Sequence, residues 1–148
     1  MKENISGTNI YNGMKASFLA SLVSSLVLLL LTTSFAIQDF NYISIHGSIF
    51  GIEKAVYAWI AYFLFAIIIW GFLYTFLEPY LAGNSGTAKG MIFGFCAWLI
   101  MMIILMPLTT AGIFLKNYGF GASIIILITD MVFGAIIGHF YGKFKKSS

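Results

Sequence analysis

The sequence predicts an all-α polytopic membrane protein: a four-transmembrane-helix bundle, built as two tandem helical hairpins within a single membrane domain, residues 1–148. Three observations carry this reading. Hydrophobic residues make up 60% of the chain and charged residues 9%, where soluble domains run at about 45–50% and about 25%. Mean hydropathy is +0.95, so most of the surface must face lipid rather than water. Four long apolar runs are separated by short polar connections, and none alternates with period two, which disfavours barrel strands.

The runs fall at about 16–37, 55–77, 91–108 and 121–141. Each is near the ~20 residues a helix needs to cross ~30 Å of hydrocarbon. In lipid the backbone must satisfy its own hydrogen bonds, so such runs become helices. The first, "FLASLVSSLVLLLLTTSFAI", exceeds the 7–15 apolar residues of a signal peptide and is expected to stay as a helix. The longest connection, "QDFNYISIHGSIFGIEK" (38–54), reads as a loop. The turn "EPYLAGNSGTAKG" (78–90) is broken by Pro79, Gly83 and Gly86. It is glycine-rich, but it follows no strand and lacks the GK[ST] of a phosphate loop. Pro107 is expected to bend the end of the third helix.

The lysines predict direction. With the N-terminus inside, Lys2, Lys15, Lys89, Lys143, Lys145 and Lys146 lie on the inner side, and Lys54 and Lys116 on the outer. The positive-inside rule then puts both termini in the cytoplasm of a cell with the chain in its inner (plasma) membrane. All eight basic residues are Lys. The absence of the bidentate guanidinium argues against nucleic-acid or dedicated phosphate recognition.

The halves look related. "GM" at 13–14 recurs at 90–91 and "LTT" at 31–33 recurs at 108–110, with one offset. "FAIIIWGF" (65–72) parallels "FGAIIGHF" (133–140). Two helices per unit would make the repeats parallel.

Two groups of residues could carry function. Gly134, Gly138 and Gly142 recur every four residues on the fourth helix, as Gly90 and Gly94 do on the third. Small residues at this spacing let helices approach closely, within one chain or between copies. Asp130 falls in the fourth apolar run. An acid at the centre of a membrane helix costs about 2.5–3.5 kcal/mol, so it should face protein or water. Its roles are an interhelical hydrogen bond, with Thr129, Ser21, Ser24 or Ser25 as partners, or a proton or cation site. His46 in the long loop and His139 on the fourth helix have no companions at metal-ligand spacing. The lone Cys96 excludes an internal disulfide framework and is expected to be a buried, inert thiol. Glu78 is expected to be a solvated acid at a helix end. "MMIILM" (101–106) reads as core or lipid-facing surface, not as a soft-metal site.

The stretch from Lys89 to Tyr141 resembles the YagU-like bacterial inner-membrane proteins. The likeness lies in a glycine-opened helix ("KGMIFGF"), an apolar run to a proline ("LMPLTTAG") and a helix with an early acid ("TDMVFG"). The resemblance implies a small bacterial inner-membrane protein without an assigned activity. Where such proteins carry a histidine about a turn beyond the acid, this chain has Gly134.

With no catalytic, cofactor or metal motif, the chain is expected to be non-enzymatic. It should act by helix–helix association in the bilayer, as a homo-oligomer or an accessory subunit of a larger membrane complex. The alternative is a small proton- or cation-coupled transporter or channel that uses Asp130. Polarity inside the bundle separates them, because transport needs several polar groups near the acid and assembly needs only packing.

Overall fold

The computed structural model describes residues 6–37 and 39–147; Lys2, part of the charge tally, lies outside them. Four long helices dominate: α1 (Gly7–Phe35), α3 (Ala55–Tyr80), α4 (Gly86–Leu108) and α5 (Phe120–Ser147), all long and apolar enough to cross a membrane. A short helix, α2 (Tyr42–Ser48), lies between α1 and α3. No strand occurs among the described residues. The protein is a four-helix membrane bundle.

The helices extend past the apolar runs because their ends are capped. Ser6 accepts from the Asn9 amide at the start of α1, and Ser85 from the Ala88 amide at the start of α4. These hydroxyls satisfy amides that have no partner inside the helix. Antiparallel α4 and α5 form the closest pair, and α1 packs against both α5 and α3. Large apolar side chains such as Leu26, Leu30, Ile60, Phe95 and Ile104 stay on the outside, where lipid is their solvent. Cys96 is on this outer surface too, not in the core. Its neighbours in sequence are apolar because they face lipid, which composition cannot distinguish from burial. The methionines divide differently: Met101, Met102 and Met106 are buried, while Ile103 and Ile104 between them are exposed.

Two helices widen locally. In α3 the Gly71 amide bonds back five residues to the Ala66 carbonyl, and in α4 the Met106 amide bonds back to Met101. These π-type turns are rare and recur at functional sites. The one in α4 precedes Pro107, which lacks an amide to continue the regular ladder; Met106–Leu108 then tightens into a 3₁₀ turn. The one in α3 is held from outside, as Ser17 of α1 donates to the Ala66 carbonyl at 2.6 Å.

Glu78 is not a freely solvated acid. At the end of α3 it pairs with Lys89 of α4 at 2.7 Å and Lys145 of α5 at 3.4 Å. These two contacts join three helices at the end of the bundle where α1 begins and α5 finishes.

Candidate functional site

The long loop between α1 and α3 is where sequence and structure part most. It is not a simple excursion into solvent. Asn41 caps α2 by accepting from the Ser44 amide at 3.0 Å. Tyr42, Ile43, Ile45 and His46 are buried, while Ser44 and Ser48 are exposed. That spacing is one face of a helix, and the face is turned into the bundle. Gly47 makes the seating possible, since a Cβ there would come within 2.7 Å of the Ala58 Cβ on α3.

Seated this way, α2 carries His46 into the protein. The imidazole is only 2% exposed. It meets Tyr62 edge-on at 5.6 Å and Phe65 at 5.2 Å between ring centres. Burial among aromatic rings disfavours the charged form and pushes the His46 pKa down to about 4. The expectation that His46 lies in a loop is thus corrected, because an apolar helix face outcompetes the polar loop around it.

Asp130 approaches the same place from α5. It shares one cavity with Tyr42, His46, Tyr62, Trp70 and Met101. The Asp130 carboxyl is close enough to influence both tyrosine hydroxyls electrostatically, and Tyr62 has the Ser24 hydroxyl of α1 beside it. The cavity is small, about 30 Å³, room for one or two waters. Asp130 Oδ2 and His46 Nδ1 are both buried and make no hydrogen bond among the described residues. Buried polar atoms are nearly always paired, so two unpaired ones around one cavity are unusual.

The hydroxyls considered as partners for Asp130 are committed elsewhere. Ser21, Ser24, Ser25 and Thr129 donate to the carbonyls of Phe18, Ser21, Leu22 and Ile125. A short hydroxyl on a helix reaches its own preceding turn more readily than a neighbouring helix. Tyr42 and Tyr62 stand near the acid instead, because the long phenol reaches across.

The wide turns of α3 and α4 border this cavity: Ala66 and Trp70 line it from one, Met101 from the other. Beyond it, toward the chain ends, lies an aromatic stack. Trp70 meets Phe93 at 6.0 Å, Phe93 meets Tyr74 at 5.1 Å, and Tyr74 meets Tyr141 at 5.4 Å. The polar cavity is therefore open to polar groups of α2 on one side and walled by rings on the other. His139 is exposed near the far end of α5 and does not join the site. No cluster of three or more metal-ligating side chains occurs among the described residues.

The glycines hold the acid's helix in place. Gly94 lies against the Asp130 carbonyl, Gly90 against that of Gly134, and Gly86 against that of Gly138; in each case a Cβ would overlap the oxygen. The stripe on α5 is thus covered by α4 of the same chain. Gly142 differs: among the described residues, no packed neighbour lies within 4 Å of a Cβ built on it. The antiparallel register would pair it with a residue four before Gly86, and α4 has not yet begun there. Gly86, read from sequence only as a turn residue, is the third partner.

A family of unknown function, DUF6789, matches residues 7–148, and the chain belongs to that family. The match spans both hairpins and does not show the YagU-like resemblance read from the second half. No curated protein and no solved structure matches the chain.

Proposed function

We propose that this DUF6789 protein is a small proton-coupled transporter or channel with Asp130 as its titrating group. The observation that carries the reading is the buried, unpaired Asp130 Oδ2 on a cavity that Tyr42, Tyr62 and His46 also line. An intramembrane acid among groups that donate and accept hydrogen bonds is the chemistry of a proton relay. The cavity volume favours a proton on water over an organic cation. A single carboxylate, with no second acid beside it among the described residues, is a weak match for a desolvated metal cation. The glycine stripe, which first suggested assembly between copies, is used inside the chain. The reading involves no catalysis.

In this proposal both termini are cytoplasmic in a bacterial inner membrane. Lys15, Lys89, Lys143, Lys145 and Lys146 belong to one end of the bundle, and Lys54 and Lys116 to the other, which supports that direction through the positive-inside rule. Protons would then reach Asp130 from the α2 side, and the Trp70–Phe93 stack would limit passage to the cytoplasm.

The test is proton flux in proteoliposomes loaded with a pH-sensitive dye, driven by an imposed pH gradient. Wild type is expected to carry protons. Asp130→Asn, which keeps size and polarity but cannot titrate, is expected to fold and to reduce flux to that of empty vesicles. Equal flux in the two proteins, or none in wild type, would overturn the proposal.

A further inference from the structure

The end of the bundle opposite α2 carries a second polar feature, remote from Asp130. A groove of about 730 Å³ runs between the start of α4 and the end of α5. Lys89, Lys143, Lys145 and Lys146 line it. Among the described residues, the carboxylate lining it is that of Glu78, which Lys89 and Lys145 share. Four lysines around one acid among the described residues leave a positive excess, and Lys143 and Lys146 are exposed. The start of α4 opens onto the same groove at Gly86 and Thr87, and a helix N-terminus adds positive potential there. Gly142 also lines it. Among the described residues its Cβ position meets no packed neighbour within 4 Å, so the groove is open there where the glycine seam ends.

Depth decides what such a groove meets. Lys143 lies two residues after Tyr141, where the apolar run ends. Lysines at that point sit at the headgroup level, with their ammonium groups in the polar layer. Exposed Met91, Ile92 and Phe95 continue along α4 toward the bilayer interior, an apolar surface for acyl chains. From charge, depth and this continuity, we propose that the groove binds the phosphate headgroup of an anionic phospholipid, with its chains along α4. Basic pockets between membrane helices recognise such headgroups by charge.

The test titrates purified protein in mild detergent with phosphatidylglycerol or with phosphatidylcholine of the same acyl chains, counting bound lipid by native mass spectrometry. Wild type is expected to retain phosphatidylglycerol at least about 10-fold more tightly. Lys143→Gln/Lys146→Gln should weaken this about 30-fold or abolish the preference. Gly142→Leu, whose Cβ meets no packed neighbour among the described residues, places bulk in the groove and should weaken it too. Lys54→Gln/Lys116→Gln removes the same charge at the opposite end and should bind like wild type. Equal retention of the two lipids by wild type overturns the proposal. So does an equal effect of the Lys54/Lys116 pair, which would mark a response to net charge alone. Displacement of the lipid by millimolar inorganic phosphate would assign the groove to a soluble anion and overturn it as well.

Discussion

Gly94 lies against the backbone carbonyl of Asp130, so the glycine seam and the half-buried acid are two aspects of one helix contact. The oxygen that a Cβ at position 94 would strike belongs to a helix backbone and cannot rotate away. Gly94→Ala is therefore expected to push α4 and α5 apart, at a cost of about 1–3 kcal/mol for overpacking. Gly142→Ala should cost nothing measurable. Thermal unfolding in mild detergent compares them, and equal melting temperatures would remove the seam from the account.

The buried imidazole predicts a pH dependence of stability. The His46 pKa is lowered from 6.5 to about 4 by burial, so below about 6.5 the unfolded chain binds a proton that the folded chain does not. His46 thus favours the fold fully above pH 6.5, and that contribution is lost as pH falls toward 4. Tyr42, Tyr62 and Asp130 line the same cavity. His46→Gln keeps a polar side chain that cannot titrate there, and is expected to flatten the fall in melting temperature between pH 7 and 4.5. An unchanged slope would assign the acid sensitivity to another group.

Glu78 ties α3 to α4 and α5 through its two lysines. Half-buried pairs are screened less than exposed ones. Glu78→Gln is expected to lower stability by about 1 kcal/mol, with a smaller difference in 1 M salt. A denaturation series at low and high salt checks this; the same deficit at both ionic strengths would mean that packing, not charge, is lost.

Trp70 closes the site toward the chain ends by its edge contact with Phe93. On the proton reading, Trp70→Ala should raise flux several-fold in the dye assay while Asp130→Asn abolishes it, and the double variant should stay inactive. Unchanged flux in Trp70→Ala, with the protein folded, would show that the aromatic stack does not limit passage.

Direction is checked by labelling. On a Cys96→Ser background, single cysteines at Gly51 and Asn84 lie on opposite ends of the bundle. In intact cells an impermeant thiol reagent is expected to reach position 51 and not 84. The reverse pattern would invert the proposed orientation.

The sequence by itself determined the membrane class, the four helices and the antiparallel hairpins. Each of these follows from local properties: apolar length against bilayer thickness, and backbone that must satisfy itself in lipid. It also singled out Asp130 and the glycines, because an acid or a small-residue period is conspicuous in an apolar run. Only the tertiary structure decided what they meet. Gly134 and Gly138 could have packed on another copy; the start of α4 at Gly86 fixes their partners and leaves Gly142 without one on α4. His46 and Tyr42 join Asp130 because a seven-residue helix turns its apolar face inward, and Gly47 lets it settle on Ala58. That segment is too short and too mixed in composition to announce a buried position. Its seat depends on the surface offered by α3, and contacts between residues so far apart in the chain leave no trace in local periodicity.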